Sequence, residues 1–415
     1  MERILIVEDS KMMVQVLSHM VRKELGFEPV VTQSMADTIE LMDGGDTDFL
    51  AAILDLTLPD APRGEVIDHV LAKNIPAIVL TATFDENKRE EILKKNVVDY
   101  VVKESRYSYD YVMRLIGRLD RNRRITAMVV DDSRTARGFV KSLLRQHNFN
   151  VVEASDGKQA LVTLHANPNT RLVITDYNMP VMDGFELTTT IRKEFDKDAM
   201  AIIGLSGQGS PTLSAKFIKN GANDFLSKPF SHEEFYCRVM QNMEAIENVD
   251  TIKDAANRDY LTRLFNRRYF FEMGRESYHD AVNNGTPLSI AMVDIDHFKK
   301  INDGFGHDAG DVVLKRMSEL LDEQFGVDQL VARFGGEEFC ILFDGSELGD
   351  AENQLEAFRT LIEQTTVETE AGPVNFTISV GVTESLSDNI DAMIKVADEY
   401  LYRAKETGRN QVIGG

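Results

Sequence analysis

The chain has 415 residues, enough for two to four domains. Its 43% hydrophobic and 27% charged residues are ordinary for a soluble globular protein. With 46 Lys and Arg against 68 Asp and Glu, the formal charge of −22 argues against a general nucleic-acid or anionic-membrane surface, though not against a nucleotide site built from local Lys, Arg and metal. The first predicted element, the short strand Arg3-Ile-Leu-Ile-Val7, runs straight into Glu8 and Asp9. That start is no signal peptide, and no apolar run approaches the ~18 residues of a membrane span, so a cytoplasmic protein without a membrane partner is expected.

The first half repeats itself. Arg3-Ile-Leu-Ile-Val-Glu8-Asp9-Ser10 is echoed by Thr126-Ala-Met-Val-Val-Asp131-Asp132-Ser133. Ala51-Ala-Ile-Leu-Asp55 is echoed by Leu172-Val-Ile-Thr-Asp176, Ile78-Val-Leu-Thr81 by Ile202-Ile-Gly-Leu-Ser206, and Asp99-Tyr-Val-Val-Lys103 by Asp224-Phe-Leu-Ser-Lys228. The steady offset makes each copy a whole domain. Short apolar runs alternate with amphipathic segments that begin at Ser10 and Ser133, good N-cap residues. Five such βα units predict a doubly wound parallel sheet, with ligands beyond the carboxyl ends of its strands. The echoed acids, hydroxyls and lysines all fall at those ends. Three converging carboxylates repel unless a cation joins them, which implies Mg²⁺.

This arrangement resembles the flavodoxin-like receiver domains of two-component response regulators, over residues 1–122 and 124–245. The resemblance implies that Asp55 and Asp176 accept a phosphoryl group from a sensor histidine kinase or phosphotransfer protein. Glu8 and Asp9 with Asp55, and Asp131 and Asp132 with Asp176, would each hold one Mg²⁺. Thr81 and Ser206 would bind phosphoryl oxygens, Lys103 and Lys228 would pair with them, and Tyr100 and Phe225 match an aromatic switch position. The second copy, Asp176-Tyr-Asn-Met-Pro-Val-Met-Asp-Gly184 with Lys228-Pro229, follows the family pattern closely. In the first, Gly64 arrives one residue late and Glu104 follows Lys103, which puts its loop geometry in doubt but not its acids.

Between the copies, Tyr109, Val112, Leu115, Ile116 and Leu119 form a helical stripe, and Arg114, Arg118, Arg121, Arg123 and Arg124 crowd the other surface. The expectation is a last receiver helix with a solvated basic end; the other reading docks that run on an acidic face. From Ser231 no Gly or Pro interrupts the chain to Asn257. Phe235, Val239, Asn242, Ile246 and Val249 keep roughly a coiled-coil spacing, so one continuous helix is expected, its stripe either a short dimer seam or the face of a plain surface helix, with 246–257 serving as linker to a last domain at 258–415.

In that last domain an apolar strand ends in Asp294-Ile-Asp296, and a helix opens near Lys299. Carboxylates at a strand end suit a hard cation, and a helix N-terminus with a lysine suits phosphate. Downstream, Gly335 and Gly336 form the tip of a predicted hairpin, followed at once by Glu337 and Glu338 on opposite faces. Together these suggest a nucleoside triphosphate. Cys237 and Cys340 are too few and too far apart for a disulfide framework or zinc site; both are expected to be buried.

Arg333-Phe-Gly-Gly-Glu-Glu-Phe339 and Asp294-Ile-Asp-His-Phe-Lys-Lys-Ile-Asn-Asp303 closely resemble the GGDEF-type diguanylate cyclases. Asp259-Tyr-Leu-Thr-Arg-Leu-Phe-Asn-Arg-Arg268, Phe305-Gly-His-Asp-Ala-Gly-Asp311, Phe376-Thr-Ile-Ser-Val-Gly-Val382 and Tyr402-Arg-Ala-Lys-Glu-Thr-Gly-Arg-Asn410 agree in order, over about residues 255–415. The resemblance implies an α+β cyclase domain with a mainly antiparallel sheet that joins two GTP into cyclic di-GMP across a homodimer. It further implies that Asp294, Glu337 and the Ile295 carbonyl hold two Mg²⁺ and that Glu338 helps deprotonate the attacking hydroxyl. Phosphates would lie on Lys299, Lys405, Arg409 and the backbone near Phe298, with guanine on Asn302 and Asp311. Lys405 and Arg409, four residues apart, would share one helical face if the helix persists that far, and Asp259 and Arg333 are expected as a structural pair. Gly326-Val-Asp-Gln329 stands where many relatives carry Arg-x-x-Asp, so no product inhibition is expected there. The alternative is a catalytically degenerate GTP-binding or phospho-adaptor module; a nucleic-acid regulator is disfavoured, since no basic recognition helix follows the receivers.

Overall fold

A computed structural model describes residues 1–207, 211–384, 386 and 388–415. The chain forms two compact units, Met1–Val249 and Asp250–Gly415.

The first unit holds two five-stranded, all-parallel sheets. One consists of β1 (Arg3–Val7), β2 (Glu28–Thr32), β3 (Ala51–Asp55), β4 (Ala77–Thr81) and β5 (Asp99–Val102), in the order β2-β1-β3-β4-β5. Its helices are α1 (Lys11–Met20), α2 (Met35–Asp43), α3 (Glu65–Ala72), α4 (Glu86–Leu93) and α5 (Arg106–Asn122). The other repeats the scheme with β6 (Thr126–Val130), β7 (Asn150–Ala154), β8 (Thr170–Asp176), β9 (Ala201–Ser206) and β10 (Asp224–Ser227), ordered β10-β9-β8-β6-β7. Between and after these strands run α6 (Arg134–Gln146), α7 (Gly157–His165), α8 (Gly184–Ile191), α9 (Pro211–Lys219) and α10 (His232–Asn257). The strands are nearly continuous apolar runs because helices cover both faces. Ser10 and Ser133 cap α1 and α6 as expected, accepting from the amides of Met13 and Ala136.

The basic run along and just beyond α5 differs from its expected solvated state at one position. Arg118 is 3% exposed: its Nε donates to Asn122 (2.7 Å) and its Nη1 to Glu247 (2.7 Å). Arg121 joins the same Glu247 carboxylate at 3.5 Å. Asn122 in turn donates to the carbonyl of His147, whose ring lies against Tyr236. The first receiver's last helix is therefore fastened to α10, which the sequence could not show because Glu247 lies 129 residues away.

The expected dimer seam also changes meaning. Phe235, Val239 and Ile246 are buried in the second receiver's own core beside Leu143, Leu144 and Ile174, and Asn242 donates to Asp224. A receiver's last helix and a coiled coil share nearly the same apolar spacing, so this stripe could not be assigned from periodicity. Cys340 is buried as expected, but Cys237 on α10 is exposed.

The second unit holds β11 (Phe265–Asn266), α11 (Arg267–Asn284), β12 (Leu288–Ile295), α12 (Phe298–Phe305) and α13 (His307–Phe325). It continues through β13 (Leu330–Gly335), β14 (Glu338–Asp344), α14 (Leu348–Glu363), β15 (Thr366–Thr369), β16 (Gly372–Asn375), β17 (Ile378–Thr383), α15 (Ile390–Glu406) and β18 (Val412–Gly414). Its six-stranded sheet runs β11-β13-β14-β12-β17-β18, antiparallel across its centre and parallel at both edges. Ala291, Val293 and Ile295 face one core with α13 and α14; Leu288, Ile290 and Met292 face the other with α11 and α15. Alternation puts Asp294 on the α11/α15 side.

Gly381 lets α15 lie directly on β17: a Cβ there would collide with the backbone of Ala397 and Leu401. Because a helix backbone cannot yield locally, Gly381→Ala is expected to cost about 3 kcal/mol or more. Differential scanning calorimetry of the full chain checks this; an unchanged unfolding profile would contradict the packing.

Candidate functional site

In the second unit the β13–β14 hairpin turns at Gly335 (φ 144°) and Gly336 (φ 55°), a backbone that glycine adopts without strain. Arg333 holds the turn, donating to the Gly336 carbonyl (2.7 Å) and to Asp259 (2.8 Å), so the expected structural pair forms. The register sets Glu338 directly opposite Asp294, and directly opposed residues share a face. Glu337 sits in the turn, half-buried, and its carbonyl accepts from Ile295 N–H (3.4 Å).

Asp294 is 5% exposed, and Lys405 Nζ lies 2.7 Å from its Oδ2. Burial pushes the Asp294 carboxyl up to about 6, and Glu337 and Glu338 push the same way against Lys405. A buried carboxylate crowded by two others and offset by Lys405 presents the electrostatic demand that a divalent cation meets. The carboxylates of Asp294, Glu337 and Glu338 are thus electrostatically suited to a cation at the strand end.

Around this centre, His297 takes a left-handed conformation (φ 57°) at the start of α12, the side chain of Phe298 enters the core, and Lys299 is exposed one residue later. Asn302 packs on Gly310, and Asp311 is exposed on α13. One placement departs from expectation. α15 ends at Glu406, and Arg409 lies beyond it in left-handed backbone (φ 64°), so Lys405 and Arg409 do not share a helical face. Gly408 (φ 135°) permits the break, so the condition for a shared face is not met.

In the first unit, Glu8, Asp9 and Asp55 bring ligand oxygens within 4.8 Å of one another at the carboxyl ends of β1 and β3. Lys103 Nζ reaches Glu8 (2.7 Å) and Asp55 (2.8 Å). Burial raises the Glu8 carboxyl above its usual range while Lys103 opposes; burial depresses Lys103, but its bonds to Asp55 and Glu8 outweigh this and raise it. In the second receiver, Lys228 Nζ reaches Asp131 (2.8 Å) and Asp176 (2.6 Å), with Asp132 exposed beside them. Thr81 and Ser206 are buried at the ends of β4 and β9, and Tyr100 and Phe225 are buried on the neighbouring strands.

The divergent loop after Asp55 is also defined. Leu58 bridges Ala61, both buried, and Asp60 accepts from the amides of Met35 and Ala36 at the start of α2 (3.0 Å each). The first receiver's unusual sequence therefore makes an ordered, apolar loop clamped to α2, and its acids remain together.

Comparison with known families identifies the domains that carry these sites. The receiver-domain model of response regulators matches residues 4–108 and 127–240, and the diguanylate cyclase GGDEF-domain model matches 256–411. The crystal structure of a two-component response regulator/GGDEF domain protein is 41% identical, with a TM-score of 0.54, over 60% of this chain and 100% of that one. The chain belongs to the response regulators that carry a GGDEF domain. Response regulator PleD of Caulobacter vibrioides is 33% identical over 298 residues, 69% of this chain and 65% of that protein. Diguanylate cyclase A of Treponema denticola is 32% identical over 193 residues, 44% of this regulator and 52% of that enzyme. This regulator thus spans about two thirds of that protein's length, and among its described residues no helix is long and apolar enough to cross a membrane.

Proposed function

We propose that this regulator is a phosphorylation-controlled diguanylate cyclase of the cytoplasm. Two GTP become cyclic di-GMP and two pyrophosphates, each 3′-oxygen displacing pyrophosphate from the other nucleotide's α-phosphorus. Since one cyclase domain would hold one GTP, the active form is a homodimer. The observation that carries the reading is the convergence of Asp294, Glu337 and Glu338 on one strand end beside Lys405, within a GGDEF-family domain.

Two Mg²⁺, when bound, would polarise the α-phosphate and make the 3′-hydroxyl more acidic. The chain's own groups do the rest. Asp294, Glu337 and the Ile295 carbonyl would hold the cations, and Lys405 would turn from Asp294 to the phosphates. Lys299, Arg409 and the amides near Phe298 would bind phosphate oxygens at the start of α12. Asn302 and Asp311 would read guanine, because a carboxylate accepts from its N1–H and exocyclic amine together. Glu338, exposed opposite Asp294, would take the 3′-hydroxyl proton. Gln329, whose side chain accepts from the Asp344 amide, stands where a product-binding acid would be needed, so inhibition by product through that segment is not expected.

Control would come from acyl phosphate on Asp176, with Asp55 as a second acceptor, donated by a histidine kinase or phosphotransfer protein. Glu8 and Asp9, and Asp131 and Asp132, would hold one Mg²⁺ per receiver, and Lys103, Lys228, Thr81 and Ser206 would meet the phosphoryl group. Mass and turnover are compared with and without beryllofluoride for wild type, Asp176→Asn and Asp55→Asn. Wild type should dimerise and accelerate, and Asp176→Asn should lose most of the response; unchanged mass and rate in wild type would reject this control.

A further inference from the structure

We infer that Asp296 is a positioning residue for the nucleotide's phosphates rather than a metal ligand; this rests on the proposed phosphate role of Arg409. Asp294 and Asp296 look like a metal-binding pair, two residues apart at a strand end. The structure gives them different work. Asp296 is 4% exposed, and its oxygens are occupied by neutral donors. Oδ1 accepts from Ser379 Oγ (2.7 Å), and Oδ2 accepts from Thr377 Oγ1 (2.7 Å) and from Asn410 N–H (3.0 Å). Its own N–H donates to the Thr377 carbonyl (2.9 Å).

The third donor matters most. Asn410 follows Arg409, and both are left-handed non-glycine residues in succession, at φ 64° and 46°. Such a turn persists only where its surroundings over-determine it. Asp296 grips its backbone, and the Asn410 side chain is held by Arg359 (2.7 Å) and Glu363 (2.8 Å) on α14. One carboxylate, two residues beyond Asp294, therefore ties the turn carrying Arg409 to the strand carrying the metal acids. A charged acceptor is suited to this, since its bonds are roughly twice as strong as neutral ones. Asparagine at 296 would remove the charge, leaving one neutral amide oxygen for Thr377 and Asn410 while its N–H faces Ser379 Oγ.

The test compares half-saturation by GTP, half-saturation by Mg²⁺ and turnover for Asp296→Asn, Arg409→Ala and the double variant. Asp296→Asn should raise the GTP requirement about tenfold with turnover at saturation within about twofold, and the double variant should be no worse than Arg409→Ala. Thr377→Val, which removes one donor without introducing a new one, should act in the same direction more weakly; it carries the test if Asp296→Asn does not fold. An unchanged GTP requirement, additivity with Arg409→Ala, or a raised Mg²⁺ requirement in its place would overturn the inference while leaving the cyclase reading intact. If Arg409→Ala itself left the GTP requirement unchanged, both the phosphate role and this inference would fall.

Discussion

Asparagine in place of Asp294 is expected to abolish cyclic di-GMP formation while raising, at about pH 8 without divalent metal, the melting temperature of the cyclase unit by a few degrees. The reason is the sign of its titration. A carboxyl held near 6 rather than at its ordinary 3.8 favours the folded state while protonated, and that contribution is lost as pH rises from 3.8 through about 6. Above both values the buried charge, net of its bond to Lys405, costs about 3 kcal/mol. Bound Mg²⁺ should reverse the order by stabilising wild type but not the variant. At low Mg²⁺, wild-type turnover should fall as pH drops below about 6, and the fall should move to lower pH as Mg²⁺ rises, because ion and proton compete. Calorimetry and a pH series of turnover check both; a variant less stable than wild type without metal would show that Asp294 serves packing rather than a cation.

Removing Arg118 should have the second large effect, this time on the receivers. Arg118→Ala leaves Asn122 and Glu247 without their buried partner and opens a void between α5 and α10. Glu247 is about one-third exposed and keeps Arg121, so the cost is expected at about 2 kcal/mol rather than the larger penalty of an isolated buried charge. Hydrogen exchange of the full chain should quicken in α5 and in the last turns of α10, with Arg118→Met partly restoring protection through packing. The neighbouring His147 adds a pH signature. Burial pushes its imidazole down to about 3, so the folded state holds it neutral. Stability from this group is complete above the ordinary value of 6.5 and is lost as pH falls towards 3. Unaltered exchange in Arg118→Ala would show that the receivers are not joined through this contact.

These two cases mark what the sequence carried. Local periodicity and short acidic blocks made the architecture legible, since a strand end followed by Asp294, or by Glu8 and Asp9, is a local arrangement. The hairpin was equally plain, because Gly335 and Gly336 between apolar runs leave few alternatives. What stayed hidden depended on partners distant in sequence. Arg118 belonged by composition to a solvated basic run, and only Glu247 explains its burial. Phe235 and Ile246 kept a spacing that a receiver core and a helix dimer both accept. Asp296 matched a metal motif until three donors from beyond residue 376 filled its oxygens. Arg409 lay one glycine past the true end of its helix.

The most direct measurement is conversion of GTP by the purified full chain with Mg²⁺ and beryllofluoride, with products separated by nucleotide chromatography, for wild type and Glu337→Gln. The account predicts cyclic di-GMP and pyrophosphate from wild type and loss of nearly all product in the variant at unchanged folding. Intact GTP with dimeric wild type, or equal product from Glu337→Gln, would contradict it.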